Sequence, residues 1–370
     1  MSGNARQGLD KPLLAATLLL LVVGILMVFS SSAILAGEKY GHPLYFFVHQ
    51  VLGVLVGLAV LAAAASFRKD IFKSTAAVYG LLIVSFILLL LCLVMPPVAN
   101  TQRWVFLFGL RFQPSELAKI ALVLFTAHYC HSRKDRLHEW KIVLVPFLVI
   151  MAFVVLILKQ PDYSTAVFLF AVSSAMLFLG GVRLRYFLAA GGGALGVFFF
   201  FLLRADYRID RILEFLSMEK DVLGKSFQVI QSKLAVGAGG ILGVNLGGSI
   251  QKLFFLPCAH TDFIYAILGE EFGLLGTVFT LTLFFIFLWR GLAIALRTAD
   301  PLHKLIAAGL TLMITAQSLL NISIVLGLGP ATGLPLPFIS FGRSALLCSL
   351  AAVGLLLNIS RRKRESGGLT

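Results

Sequence analysis

Residues 12–36, "PLLAATLLLLVVGILMVFSSSAILA", run for 25 positions without a charged side chain. An α-helix needs about 20 apolar residues to cross roughly 30 Å of hydrocarbon, so this run reads as a membrane span. It is too long for the h-region of a cleaved secretory signal, which holds about 7–15 residues, and is expected to stay as an anchor. Composition extends the reading to the whole chain. Of 370 residues, 59% are hydrophobic and only 13% charged, whereas a soluble domain sits near about half apolar and about a quarter charged. The chain is a polytopic membrane protein.

Nine further runs resemble the first, giving spans at roughly 12–36, 45–66, 75–96, 115–132, 142–158, 163–182, 186–203, 263–289, 305–327 and 338–360. They are continuous rather than alternating, which favours helices over a barrel. The fourth must accommodate Glu116 and Lys119 at its outer end. If both termini share one side, that side collects eighteen Lys and Arg, and the short loops opposite carry five: Lys39, Arg103, Arg111, Lys159 and Arg343. This bias places the termini in the cytoplasm. The expectation is an all-α integral membrane protein with about ten transmembrane helices. It forms one polytopic domain over 1–370, ending in a short basic cytoplasmic tail at 361–370. The net charge of +14 is then mainly a topology signal. The basic residues are scattered between spans, which argues against nucleic-acid binding.

One connection stands apart. Residues 204–262 form a long extracytoplasmic loop of 59 residues between the seventh and eighth spans, far beyond ordinary connection lengths. "RIDRILEFLSME" (208–219) has helical apolar spacing, and "SFQVIQSKLAVGAGGILGVNLGGSIQKLFFLP" (226–257) is glycine-rich and half apolar. Such a segment is expected to fold back onto the outer membrane face as short amphipathic or re-entrant pieces. The four cysteines, Cys92, Cys130, Cys258 and Cys348, show neither disulfide nor metal spacing. No cytoplasmic domain able to bind a nucleotide is visible.

Against this apolar background the polar groups stand out. "FLPCAHTDFIYAILGEEFGLLG" (255–276) puts His260, Asp262, Glu270 and Glu271 at the mouth of a span. If the helix reaches back to Asp262, Glu270 shares its face and Glu271 points about 100° away. Glu116 and Lys119 in "QPSELAK" are three apart and able to pair. Lys159 and Asp162 share the outer turn "KQPDYST", and Arg103 lies in "NTQRWVFLFGLRF" before the fourth span. Gln317 and Asn321 are one turn apart in the ninth span. Ser340 and Arg343 lie in "GLPLPFISFGRSA" (333–345) at the entry to the tenth. Intramembrane ionisable groups are functional candidates because an unpaired charge there is costly; the alternative for any one pair is a structural ion-pair network.

No P-loop, HExxH, GxSxG or metal-binding His/Cys cluster is present. What remains is a carboxylate able to take a proton from a hydroxyl nucleophile, plus cations able to hold phosphate oxygens: Arg103, Lys119, Arg208 and Lys252. That combination suits group transfer from a lipid-linked phosphate donor, with a transporter as the competing reading.

The motifs "RWVFLFGLRFQPSELAKIALVLF", "QPDYSTAV", "GKSFQVIQSKLAVGAGGILGVNLG", "LPCAHTDFIYAILGEEFGLLG" and "GLPLPFISFG" resemble, in order and over nearly the whole chain, the SEDS family (shape, elongation, division and sporulation). "SIQKLFFLP" and "AHTDFI" look more like its division-type branch, FtsW, than the elongation-type branch, RodA. The resemblance implies a peptidoglycan glycosyltransferase in the bacterial cytoplasmic (inner) membrane, polymerising lipid II on the outer face with inversion. Asp262, matching the family's essential aspartate, would be the general base. Arg103, Glu116, Lys119 and Asp162 match outer-cavity positions, while Arg208, Lys252 and His260 are further candidates for substrate contact. Glu270, Glu271, Gln317, Asn321, Ser340 and Arg343 are expected to shape the cavity.

A divalent cation, Mg2+ or Mn2+, could sit at the pyrophosphate with ligands the sequence does not fix; no organic cofactor is implied. Expected partners are lipid II, a class B penicillin-binding protein, other division or elongation machinery and membrane lipids. Two departures stand out. "PATG" puts Thr332 where the family usually has a lysine, and "SFGRSA" introduces Arg343, which could restore the lost charge. A lipid II flippase and a non-catalytic scaffold remain the alternatives.

Overall fold

The computed structural model describes residues 8–67, 70–97, 101–107, 110–203 and 227–362. Among these the chain forms eleven α-helices: α1 (Lys11–Tyr40), α2 (Tyr45–Ser66), α3 (Thr75–Val94), α4 (Pro114–Ser132), α5 (Trp140–Lys159), α6 (Tyr163–Leu179), α7 (Leu184–Leu203), α8 (Phe227–Ala238), α9 (Ile264–Arg297), α10 (Pro301–Val325) and α11 (Arg343–Ser360). Seven of them, α1, α2, α3, α5, α9, α10 and α11, are long and apolar enough to cross a bilayer. The protein is an all-α integral membrane protein, as its composition requires.

The helix ends obey local chemistry. Asp10 caps α1 by accepting the Leu13 N–H at 3.1 Å, and Ser74, Asp162 and Asp300 cap α3, α6 and α10 in the same way. Each cap satisfies a donor that the first helical turn leaves without an intrahelical partner.

Two expectations about segments change. The stretch before α4 is not a plain loop: Val105–Leu107 (β1) pairs antiparallel with Leu110–Phe112 (β2), Phe106 opposite Arg111. The eighth span is not one helix either. At Gly273 the backbone turns to φ 61°, ψ −156° and splits α9 in two. Residues 264–271 of the first piece are all buried, while the second, up to Arg297, carries the lipid-facing surface.

The long connection explains the break. Leu274 and Leu275 N–H donate to the Gly240 and Ile241 carbonyls at 2.9 and 3.3 Å, and Val244 N–H donates to the Glu270 carbonyl at 3.0 Å. A helix can break within a membrane protein only where other backbone replaces its lost hydrogen bonds, and residues 240–244 do so here. Residues 204–226, including Arg208 and the "RIDRILEFLSME" segment, lie outside the described residues.

α4 sits at the centre, packed by α3, α5, α6, α10 and α11. Nearly every side chain from Pro114 to Cys130 is buried. A helix enclosed by other helices has no lipid-facing stripe to keep apolar, which is why α4 tolerates Glu116, Lys119, Thr126 and His128. The last span also starts later than its sequence suggests: α11 begins at Arg343, and residues 329–342 form an irregular strap over the outer end.

The strap needs close access to α1. A Cβ on Gly24 would fall 2.4 Å from the Phe338 carbonyl oxygen and 2.8 Å from Ile339 Cα. Both are backbone atoms, and Phe338 is itself buried at a positive φ of 68°. Gly24→Ala should therefore displace the strap and destabilise the protein by about 1–3 kcal/mol. Thermal unfolding in detergent should show a lowered midpoint for Gly24→Ala and an unchanged or slightly raised one for Gly80→Ala, which lies inside α3 where a Cβ meets nothing within 4 Å. Equal midpoints would refute the close-contact account.

Candidate active site at the outer end

Asp262 lies in a tight turn just before α9, not within it. The Cys258 carbonyl accepts from Thr261 N–H at 3.0 Å and from Phe263 N–H at 3.4 Å, with Cys258 itself at φ 57°. Asp262 and Glu270 therefore do not share a helix face as projected from the sequence. The turn is held from outside as well. The His260 carbonyl accepts Phe341 N–H at 3.0 Å, the Thr261 carbonyl accepts the Ser340 hydroxyl at 2.6 Å, and the Asp262 carbonyl accepts Asn321 Nδ2 at 2.8 Å. The same Asn321 amide donates to the Leu334 carbonyl at 2.9 Å, binding turn and strap together.

The half-buried Asp262 carboxylate faces Gly333. A Cβ at Gly333 would meet Asp262 Oδ2 at 3.9 Å and Arg103 Nη1 at 3.7 Å, so carboxylate and guanidinium converge on one exposed glycine. Arg103 is aimed there by its other contacts. Its Nε donates to the Gln160 carbonyl at 3.4 Å, its Nη2 donates to the Pro161 carbonyl, and its Nη1 lies 3.9 Å from Asp162 Oδ1. Asp162 is buried and also caps α6 through Thr165 N–H.

Deeper in, Lys119 Nζ lies 2.8 Å from Glu116 Oε2 and donates to Gln317 Oε1 at 2.6 Å. Gln317 in turn donates to the Pro335 carbonyl at 2.8 Å. This buried pair is enclosed by protein partners and reaches the strap through Gln317. Asp262, Arg103, Asp162, Glu116, Lys119, Gln317, Asn321 and Ser340 thus form one connected polar region.

Other candidates fall elsewhere. Lys252, expected to meet phosphate, is buried; its Nζ lies 2.8 Å from Glu271 Oε1 and donates to the Ser30 hydroxyl at 3.1 Å. Ser30 Oγ also donates to Glu271 at 2.6 Å. Glu270 accepts from Ile250 N–H at 2.9 Å, from Gln251 N–H at 3.4 Å and from the Ser249 hydroxyl. The two glutamates pin the end of the long connection onto α9 and α1, which explains their depth. Arg343 opens α11 with its stem against Gly53 of α2. Thr332 buries a hydroxyl that has no partner among the described residues.

His260 packs against Phe46, with ring centroids 4.7 Å apart. Burial pushes its imidazole from the ordinary 6.5 down to about 4, and Lys39 adds to the effect. It is therefore neutral at physiological pH.

Sequence reasoning missed Ser30 and Gly333. The "SSS" at 30–32 in an otherwise apolar span was a signal for the first. The second had none, because its role comes from what approaches it.

A family model for FtsW/RodA/SpoVE, described as cell cycle protein, matches residues 11–365. A relative from Geobacter sulfurreducens, named probable peptidoglycan glycosyltransferase FtsW, is 39% identical over 359 residues, covering 95% of each chain. Stage V sporulation protein E of Bacillus subtilis is 38% identical, covering 96% of this chain and 98% of that one. Among solved structures, a chain of a peptidoglycan synthase complex described as coordinating polymerization and crosslinking superposes with a TM-score of 0.77. It is 30% identical and covers 95% of this chain and 98% of that one. The rod shape determining protein RodA of Thermus thermophilus gives a TM-score of 0.70 at 26% identity, covering 96% and 98%.

Two outcomes are expected. Lys252→Met leaves Glu271 buried and uncompensated, which should cost about 3–5 kcal/mol, and adding Glu271→Gln should recover most of it. Additive losses in unfolding experiments would argue against the coupling. Because the folded His260 binds its proton less readily than the unfolded chain, its contribution is intact above about pH 6.5 and is lost as the pH falls from there toward about 4. The thermal midpoint should fall less steeply across that window in His260→Gln than in the wild type; parallel curves would exclude the effect.

Proposed function

The chain belongs to the FtsW/RodA/SpoVE family, and we propose on that premise that it is a peptidoglycan glycosyltransferase whose general base is Asp262. The substrate fitting this reading is lipid II, a lipid-linked disaccharide pyrophosphate whose sugars lie at the outer membrane surface. The Asp262 carboxylate takes the proton of the acceptor sugar's 4-hydroxyl as that oxygen attacks C1 of the donor. The new C1–O bond forms as the bond from C1 to the pyrophosphate breaks on the opposite face. The anomeric centre inverts, and undecaprenyl pyrophosphate leaves with the electron pair.

The observation that carries this reading is the convergence of Asp262 Oδ2 and Arg103 Nη1 on the exposed Gly333. A base and a cation beside one open position can serve a nucleophile and a departing phosphate together. Lys119 and Lys252 are buried and each held at 2.8 Å by a buried carboxylate, whereas Arg103 is more exposed and lies 3.9 Å from Asp162, which favours Arg103 as the phosphate contact among the described candidates and gives the two lysines a supporting role. Among the described residues no group of three or more His, Cys, Asp or Glu could hold a metal ion. A cation held by one or two carboxylates and the substrate's own phosphates would need no such group, and no step is derived through one. The likeness to a chain from a synthase complex supports a transpeptidase of the class B penicillin-binding type as partner, joining polymerisation to crosslinking.

The test is polymerisation of labelled lipid II by the purified protein, with and without its cognate transpeptidase. Asp262→Ala should lower the rate by about 10²–10⁴-fold, the range for loss of a positioned base, while folding as the wild type does. Arg103→Gln should also reduce turnover, with Arg103→Lys recovering part of it. Long strands from Asp262→Ala would remove the base from Asp262. No polymer from the wild type even with the partner present would sink the enzymatic reading and favour lipid II transport or a scaffold.

A further inference from the structure

The opposite end of the bundle holds a cavity that the transfer reaction does not use. It has a volume of about 540 Å³ and lies between the start of α1, the end of α9 and the end of α11. Gly8–Pro12 and Ile359–Arg362 meet there, so both ends of the described chain are on one side, the side that the positive-charge bias assigns to the cytoplasm. Its size falls within the range of about 300–1,000 Å³ of small-molecule sites.

The lining is strongly cationic. Lys11, Arg290, Arg297 and Arg362 face one carboxylate, Asp10. That carboxylate is already taken: Arg290 grips it with Nη2 at 2.6 Å and Nε at 3.1 Å, and it accepts the Leu13 N–H. Arg362 is directed by Asn358 and by Asp70, 2.7 Å from its Nη1. Lys11 and Arg297 have no carboxylate partner among the described residues. The positive end of the 30-residue α1 adds to the same field. With Arg290 paired to Asp10 and Arg362 to Asp70, the charge left uncompensated in the lining among the described residues is that of Lys11 and Arg297, and an anion relieves it.

The surroundings indicate which anion. Leu9, Ile294 and Ile359 supply an apolar wall. Trp289, beside Arg290, is 61% exposed, as tryptophans are at the level of lipid headgroups. Cation-lined clefts between spans on the cytoplasmic side suit phosphorylated headgroups.

We propose that this cavity binds a phosphate-bearing anion, with Lys11 and Arg297, the two cations without a carboxylate partner among the described residues, as its ligands. The phosphate comes either from the headgroup of an anionic inner-leaflet lipid or from soluble phosphate in the cytoplasm. The site is separate from the outer-end chemistry and does not depend on the glycosyltransferase reading.

The full chain would be purified and exchanged into nanodiscs of phosphatidylcholine with or without phosphatidylglycerol. Lipid retention would be read by native mass spectrometry and stability by thermal midpoint. Inorganic phosphate would be titrated against the phosphatidylcholine sample. Retained phosphatidylglycerol with a raised midpoint identifies the headgroup as the source, and a midpoint raised by inorganic phosphate identifies the soluble ion. In Lys11→Gln/Arg297→Gln the responsible interaction should weaken about tenfold or more, as expected for two juxtamembrane cations. Polymerisation should be unchanged. Arg297→Lys, which keeps the charge, should restore binding where Arg297→Gln does not. A wild type that neither prefers phosphatidylglycerol nor responds to phosphate overturns the proposal, as does a preference that survives intact in the double variant. The wild-type comparison decides even if the double variant fails to fold.

Discussion

Three consecutive carbonyls, on His260, Thr261 and Asp262, are each held by a donor from the strap or from α10. This constraint governs the outer end of the protein. Non-helical backbone at the edge of a membrane survives only if protein supplies its hydrogen bonds, and here the supply also fixes geometry. With all three carbonyls captured, the backbone that carries the Asp262 side chain is fixed beside Gly333. The Asn321 amide is central to this, because it holds the turn and the strap at once. Asp262 is thus placed by groups of the strap and of α10 that hold its backbone.

The same constraint shapes α9. Its break at Gly273 frees backbone groups that residues 240–244 of the long connection take up. Glu270 and Glu271 fasten residues 249–252 of that connection, the first through Ser249 and the 250–251 amides, the second through Lys252 and Ser30. A buried ion pair contributes little net stability against an apolar substitute, yet breaking one partner is costly. Such a pair therefore serves register better than stability. It commits the connection to one seat on α1 and α9, beside the turn that bears Asp262.

The helical architecture was legible because span length and charge bias are properties of single segments. Each apolar run falls on a helix of the structure, and the carbonyl-rich turn was marked by Pro, Gly and clustered polar residues. The relation between segments was less legible. "QPSELAK" shows that Glu116 and Lys119 can pair, but not that Gln317 completes their shell. Lys252 looked like a phosphate ligand because its loop faces outward on average; its partner is 19 residues away in sequence, on a helix whose orientation depends on the Gly273 break. The shared face of Asp262 and Glu270 failed for a related reason. Periodicity extends a helix through "HTDF", whereas the left-handed Cys258 and the captured carbonyls stop it at Ile264.

The two ends of the bundle treat charge in opposite ways. At the outer end, Lys119, Lys252 and Arg103 each face a carboxylate, and Asp262 has Arg103 near it. That balance suits a site where an ionic substrate arrives and leaves, since fixed partners keep the groups in place between turnovers. At the inner end, Arg290 and Arg362 are paired while Lys11 and Arg297 have no carboxylate partner among the described residues. Positive residues there set the orientation of the chain during insertion, but orientation needs only their number, not their convergence around a cavity. Scattered cations in water would satisfy the topology rule equally well. Leaving two of them without a carboxylate beside two that are paired, within one cleft, costs repulsion that the rule does not require, and a bound anion is the simplest physical reason for a fold to sustain it.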